Sequence, residues 1–420
     1  MCLFILNKLS RYKYILIIVV IVISSIITRQ IMNLLSPDLI ELTELSKCPA
    51  CYGTCACAKI FSNNFKIDFF NFYTMLSHLF AAKNVFYGSI GKTKVVLKKL
   101  AHDYELKLFD NMICENENLT HLCVNKNNNN NNNNYNNNNN DIDSDVNKID
   151  YLSLIKSEVS LNINNANAKL VLCPNTNHLE NLINLSQNYI FHNNDYIYLW
   201  TLIKINPEPI ILKILQADKG WPVTKYYGAC GRVVIEKYAG LPLTVYYHET
   251  WLRRAKIAIG LLESANMFTF RNPEYSFYFT DLSPDNIVID ENDKPVFIDL
   301  ENVIILHKNI SIEDQPKEWN DLHTSDNIDC DNCFSFSPTD ICSHRISDHN
   351  YYSICQQILL DKPKDNGFLH SIPVYIFNNY KNLKVMIDEC ALPQTMKSRI
   401  EAGDELKKIL QRILIDFHYE

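Results

Sequence analysis

The sequence predicts an α+β protein in two lobes, strand-rich first and helical second, behind a cysteine-rich segment and an N-terminal signal or membrane helix. Three observations predict it. The chain has 420 residues, 47% of them hydrophobic, with 23 Tyr and 20 Phe, which at roughly 100–200 residues per domain is room for two or three domains or one large two-lobed one, and enough apolar surface for a large core. Short apolar runs in the first half, one ending in Lys98, give way to an amphipathic helix and then a hairpin in the second. Around that hairpin fall three oxygen-bearing side chains, Asp281, Asn286 and Asp299.

Charge and glycine content remove several function classes. Forty basic against 47 acidic residues leave a net charge of -7 with no basic block, which excludes a nucleic-acid partner. Only ten Gly are present and no two are spaced G-x-G, so there is no dinucleotide fingerprint and no intact glycine-rich phosphate loop. H-E-x-x-H and G-x-S-x-G are also absent.

The elements follow in order. Lys8, Arg11 and Lys13, in an n-region of residues 1–13, precede an apolar stretch that begins at residue 14 and extends to residue 35. This layout predicts a signal peptide or a retained type II signal-anchor, with the remainder in the lumen of the secretory pathway (endoplasmic reticulum or Golgi) or secreted. If uncleaved, the helix ties the chain to a membrane. Residues 36–60 carry Cys48, Cys51, Cys55 and Cys57, and Cys330, Cys333, Cys342, Cys355 and Cys390 come later. In an oxidising lumen these predict disulfides. Cys48-Pro-Ala-Cys51 also matches a thioredoxin-type redox pair or half a zinc site, but the polar run before it and the tight Cys-rich knot after it favour a structural bond. Asn118, Asn184 and Asn309 open N-x-[ST] sequons, consistent with a lumenal glycoprotein.

Residues 61–240 form the predicted first lobe, interrupted by an insertion at 126–150 whose core is thirteen Asn around Tyr135 and which cannot bury enough apolar surface to fold. Asp141, Asp143, Asp145 and Asn147 start a calcium-loop spacing, but Val146 and Leu152 stand where Gly and Glu are needed, so a solvated linker is expected. Lys98 ends a strand from which its ammonium can reach nucleotide phosphates. Glu105, on the helix after an Asp103 cap, is the expected ion-pair partner. A strand over 232–238 runs into Ala-Gly-Leu-Pro242, a hinge at which Glu236 and Tyr238 are the expected nucleotide-contacting positions.

Residues 241–420 form the second lobe. Leu252, Ala255, Ile259, Leu262 and Ala265 lie at helical spacing over 251–268. A strand over 275–279 comes next, then apolar runs at 287–289 and 296–298 around a polar turn. With its centre between Asn292 and Asp293, antiparallel pairing sets Asn286 beside Asp299. An amide oxygen and a carboxylate there suit Mg²⁺ or Mn²⁺, completed by water and phosphates. Asp281, on the same edge, is placed to accept a hydroxyl proton.

Protein kinases space a catalytic Asp, a metal-binding Asn and a metal-binding Asp by five and then thirteen residues, as do Asp281, Asn286 and Asp299. Together with Cys48-Pro-Ala-Cys51-Tyr-Gly-Thr, Val95-Val-Leu-Lys98, Asn206-Pro-Glu-Pro209, Gly220-Trp-Pro222, Tyr227-Gly-Ala-Cys-Gly-Arg232, Asp299-Leu-Glu-Asn302-Val and Asp348-His-Asn-Tyr-Tyr352, the chain resembles the FAM69-type divergent protein kinase domain family, in its Deleted-in-Autism branch, from about Cys48 to the C-terminus. The resemblance implies a bilobal protein-kinase-like fold, ATP and a divalent cation as cofactors, and a lumenal or extracellular protein substrate or receptor. It also implies that Asp348 organises the catalytic loop from the central helix. Phe279-Thr280 replaces the usual His-Arg, Asp299-Leu300-Glu301 replaces Asp-Phe-Gly, no Ala-Pro-Glu follows, and Gly88 and Gly91 make only a G-x-x-G. Two functions follow, an active phosphotransferase or a pseudokinase that binds without catalysing.

Overall fold

The computed structural model describes residues 17–26, 30, 38–68, 85–116, 119–120, 123, 151–160, 169–185, 195–326, 335–361 and 366–417. The insertion at 126–150, with its calcium-type spacing, lies outside them, as do Asn118, Cys330 and Cys333. Of the predicted segment 14–35, residues 17–26 are helical with their apolar side chains exposed. Among the described residues no helix is long and apolar enough to cross a membrane.

The cysteine-rich segment is built into the first lobe. Its helices α1 (Leu39–Thr43) and α2 (Cys57–Ile60) lead to β1 (Phe65–Ile67) and the hairpin β2 (Val85–Ile90) and β3 (Thr93–Lys98). Next come α3 (Asp103–Glu115), α4 (Tyr151–Ser160), β4 (Val171–Cys173), α5 (Leu179–Leu185), α6 (Asp195–Lys204) and α7 (Glu208–Ile214), before β5 (Tyr226–Cys230) and β6 (Val233–Lys237). Five of these strands form one sheet in the order β1-β2-β3-β6-β5. Tyr52 N–H donates to Gly231 O at 2.8 Å and Ala56 N–H to Ala229 O at 2.9 Å, so the cysteine-rich segment covers the β5–β6 turn. Leu42, Ala56, Ile60, Val95, Leu97 and Ile235 share a core there. Beneath it Arg232, 2% exposed, is held by Asp110, by Glu44 at 3.4 Å and by the carbonyls of Ala50 and Lys47 at 3.2 and 3.0 Å. A buried guanidinium needs such a full set of partners.

In the second lobe β7 (Leu241–Pro242), α8 (Trp251–Asn266) and β8 (Tyr275–Phe279) precede β9 (Ile287–Ile289), β10 (Pro295–Phe297), β11 (Val303–His307) and β12 (Leu322–His323). Then follow α9 (Pro338–Ser343), β13 (Ile346–Ser347), α10 (His349–Ile354), α11 (Val374–Asn379), α12 (Leu383–Ala391) and α13 (Arg399–Asp416). Thr250 caps α8 and a Ser398–Glu401 capping box starts α13, each satisfying backbone donors that a helix start leaves open. The predicted stripe of α8 packs inward, but Ile257, Ala258 and Leu261 are buried as well, and so is Arg254, so this helix is buried on most of its faces and forms the lobe's axis. Although β4 comes from the first half of the chain, it pairs in parallel with β11 and so crosses the expected division at residue 240.

The disulfides among the described residues are Cys48–Cys51, Cys57–Cys230, Cys114–Cys123, Cys173–Cys342 and Cys355–Cys390, and Cys55 is free. Cys57–Cys230 fastens the cysteine-rich segment to β5, and Cys173–Cys342 fastens β4 to α9.

Candidate active site

A cleft of about 900 Å³ opens between the lobes, large enough for a nucleotide. Lys98, Glu105, Glu236, Tyr238, Asp281, Asn286 and Asp299 all line it. Val96 from the first lobe faces Val288 and Ile298 from the second across it, apolar surfaces between which a flat base can lie. The linker from β6 reaches β7 through Gly240 (φ 144°), where a Cβ would meet Ile289 O at 1.9 Å, so only glycine lets the hinge pass this close to β9.

Lys98 sits at the centre of the first-lobe wall. Its Nζ lies 2.8 Å from Glu208 Oε1 and 3.0 Å from Glu236 Oε2. Burial alone would lower the lysine's pKa, but the two carboxylates raise it above its ordinary value, so Lys98 remains a cation. One ammonium cannot neutralise two buried carboxylates. Glu208 Oε1 also accepts the N–H groups of Asp299 (2.9 Å) and Leu300 (3.2 Å), whereas Glu236 gains no further donor. Burial, with the negative charge of Glu208 beside it, pushes the Glu236 carboxyl up to about 8. Glu208 Oε2 and Glu236 Oε1 are buried without a hydrogen-bond partner, acceptors that a cation or an amino group entering the cleft would satisfy.

This arrangement corrects the expected ion pair. Glu105 faces the same cleft, but its Oε2 accepts the N–H of His102 at 2.9 Å in a capping box at the start of α3. His102, not Asp103, is the cap. The partner of Lys98 is Glu208, 110 residues away. Pro207 and Pro209 begin α7 at that residue, and Asn206 Oδ1 accepts the Glu208 N–H at 3.0 Å. The predicted nucleotide position Glu236 holds the lysine with its side chain, and Tyr238 sits on the hinge. The signal for Glu208 is the Asn-Pro-Glu-Pro run, whose prolines fix a helix start.

The second-lobe wall carries the three predicted polar residues. Asn286 Nδ2 donates to the Asp281 carbonyl at 3.1 Å, leaving its own oxygen as the end free for a cation. Asp281 is exposed, and its Oδ2 accepts from Asn302 Nδ2 at 3.3 Å. Asn302, which sequence reasoning did not assign a role, also accepts the Thr280 N–H at 3.2 Å through its carbonyl. Asp299 has a left-handed backbone (φ 63°), a strained conformation for a non-glycine residue that the two N–H bonds to Glu208 help hold. Glu301, in the Gly position of the kinase motif, is half-buried, and burial raises its pKa despite Lys169 nearby.

The hairpin register differs from the expected one by a residue. Val288 pairs with Val296 and Ile287 with Phe297, so Asn286 stands opposite Ile298 and Asp299 lies one step beyond. Asp290 is the cause: its Oδ1 accepts the N–H groups of both Asn292 and Lys294 at 2.8 Å, and Asp293 turns left-handed (φ 61°). Across the cleft the lid is a tight hairpin, β2 to β3, turning on Gly91 and Lys92. Gly88 lies within strand β2, where a Cβ would meet Lys66 O at 2.7 Å, so it serves strand packing against β1.

Among the described residues no group of three or more His, Cys, Asp and Glu side chains is arranged to hold a metal ion. Asp299 and Asn286 instead supply two hard oxygen donors beside a cation-neutralised wall, the small protein share that Mg²⁺ takes when nucleotide phosphates and water complete its shell. The donor set fits.

Comparison with known proteins places this geometry. The family model for the protein-kinase domain of FAM69 matches residues 199–393, from within α6 to just past α12. Divergent protein kinase domain 2A of Xenopus tropicalis is 30% identical over 402 residues, covering 89% of each chain. The human protein of that name is 30% identical over 416 residues, 91% of this chain and 93% of its own. Divergent protein kinase domain 2B of Mus musculus is 23% identical over 256 residues, 56% of this chain. With an interlobe cleft, a buried Lys–Glu pair and the Asp-Asn-Asp spacing set in a chain alike over nine-tenths of its length, this protein belongs to the FAM69-type divergent protein kinase family.

Proposed function

We propose that the chain is an ATP- and divalent-cation-dependent phosphotransferase acting on a hydroxyl of a protein in the secretory pathway or outside the cell. The observation that carries this is the convergence on one cleft of Lys98, Asp281, Asn286 and Asp299, with Lys98 kept cationic by buried carboxylates. Phosphoryl transfer is mostly positioning and electrostatic stabilisation, and each part has an owner here. Lys98 holds nucleotide phosphates. Asn286 and Asp299 hold Mg²⁺ or Mn²⁺, which when bound offsets phosphate charge. Glu208 fixes Lys98 and the Asp299 backbone together, so the two binding groups move as one. Asp281, open to solvent on the opposite wall, receives the proton of the acceptor hydroxyl. The lumenal setting is supported by the five disulfides among the described residues and by the exposure of Asn184 and Asn309 at two sequons.

The tight lid favours a second reading, a pseudokinase that binds nucleotide or a partner without turnover, since a hairpin without a glycine-rich loop offers few backbone donors to phosphate. Thermal melting with ATP and Mn²⁺ tests both. At about 100-fold excess over Kd the wild type is expected to gain about 2.7 kcal/mol, and Asp299→Ala should lose that gain. An equal shift in the variant removes the cation site from Asp299. Radiolabel incorporation from γ-labelled ATP, abolished in Asp281→Ala, separates the enzyme from the binding module.

A further inference from the structure

Helix α10 grips the strand that delivers Asp281. Asn350 spans the strand's end: its carboxamide oxygen accepts the Phe279 N–H at 3.1 Å, and its nitrogen donates to Phe277 O at 2.9 Å and Thr269 Oγ1 at 3.0 Å. One residue earlier, His349 is fully buried, with Nε2 at 3.1 Å from Phe279 O. Ser353 Oγ reaches the same carbonyl at 3.4 Å. A carbonyl can only accept, so Nε2 bears the hydrogen. Nδ1 of the neutral ring is then an acceptor, and Ser325 Oγ lies 3.3 Å from it. Burial lowers the His349 pKa to about 3, in keeping with a neutral ring. Ser325 is itself fixed by its N–H to Asp348 Oδ1 at 2.8 Å, and Asp348 pairs with buried Arg399. From the opposite side the Asn302 carbonyl accepts Thr280 N–H and, at 2.5 Å, Thr280 Oγ1. The peptide units 278–279 and 279–280, one residue short of Asp281, are therefore clamped between α10 and Asn302.

In the kinase pattern a histidine stands two positions before the catalytic Asp; here Phe279 stands there, and an imidazole arrives from 70 residues further along the chain. We propose that His349 is a positioning residue for Asp281: its Nε2–H anchors the Phe279 carbonyl, which fixes the 279–280 peptide plane from which the chain turns into Asp281, and its Nδ1 ties that anchor to Ser325 in the segment following Asp299. The role in turnover rests on the assignment of Asp281 as base; the anchoring itself does not.

The test compares full-length wild type with His349→Phe, which fills the site without a donor, and His349→Gln, whose amide can donate where Nε2 does. In His349→Phe the amides of Phe279 and Thr280 are expected to exchange hydrogen about tenfold faster, and turnover of γ-labelled ATP with Mn²⁺ to fall about tenfold at an ATP KM within about twofold of wild type. His349→Gln should recover most of both. Unchanged exchange in His349→Phe, or a glutamine variant no better than phenylalanine, overturns the anchoring. A rise in KM matching the loss in kcat overturns the aiming role. If His349→Phe fails to fold, Ser325→Ala, which removes only the partner of Nδ1, should speed the same amides by about threefold, and no change there overturns the proposal. Absence of any turnover in wild type would discard the base assignment while leaving the exchange result to decide the anchor.

Discussion

On the first-lobe side of the cleft the side chains of Lys98, Glu208 and Glu236 are 13, 1 and 2% exposed, whereas on the second-lobe side Asp281 is open to water and Asn286 only half-buried. The buried wall sets two carboxyl groups against one lysine, the proton held by Glu236 relieving the second charge, and its geometry is set by partners 110 residues apart. The open wall is held through its backbone, by Glu208 at Asp299, by Asn302 at Thr280 and by α10 at Phe279. The contrast teaches a division of labour. Groups that grip a polyanion gain from low dielectric, where each charge acts more strongly, while the group that must meet a second substrate stays accessible.

The comparison breaks first at its open side. Asp281→Asn is expected to cut turnover by about 10²- to 10⁴-fold, the range for a lost general base, with melting temperature and nucleotide shift unchanged. A comparable fall in stability would show that Asp281 belongs to the structural wall. At the buried side Lys98→Met leaves Glu208 and Glu236 without their cation and should cost about 3–5 kcal/mol in denaturant unfolding as well as the nucleotide shift. A near-neutral stability change would mean that those carboxylates are neutral together.

The excess charge can be sharpened by pH. Glu236, raised from 4.5 to about 8 in the folded chain, binds a proton there that the unfolded chain has released. Its contribution is complete below pH 4.5 and is lost as pH rises through about 8. The wild type should therefore melt at least about 3 °C lower near pH 9 than near pH 6, and Glu236→Gln should narrow that gap. Equal gaps in the two proteins would relocate the proton. The smallest effect belongs to Asn302→Ala, which frees Asp281 Oδ2 from one exposed hydrogen bond and should slow turnover by only a few-fold, roughly the worth of one such bond, with ATP KM unaltered.

Local signals in the sequence carried far. The strand over 275–279, the run 287–289 and the axis helix read directly from apolar periodicity because tertiary packing agrees with it. What failed to show was geometry decided by a side chain's capture of backbone. Counting from the hairpin's midpoint missed the register by one residue because Asp290 tightens one end of the turn. Glu105 looked like the lysine's partner by nearness in sequence, yet a helix start claims it first, and the true partner is brought in by the long path through α4 to α7. Nor do spacing rules reveal that β4 leaves its own half of the chain, or that Gly53 bridges to Gly231 and draws the cysteine-rich segment onto the sheet.

Two of the sulfur links overlap along the chain, Cys57 to Cys230 and Cys173 to Cys342. A protease that cuts once anywhere between residues 58 and 341 therefore severs the polypeptide without releasing a fragment. Such a nicked molecule would migrate as a single band until a reductant is added, and after a cut between Glu236 and Asp281 the Cys173–Cys342 link would be, among the described residues, the one covalent tether between the two walls of the cleft.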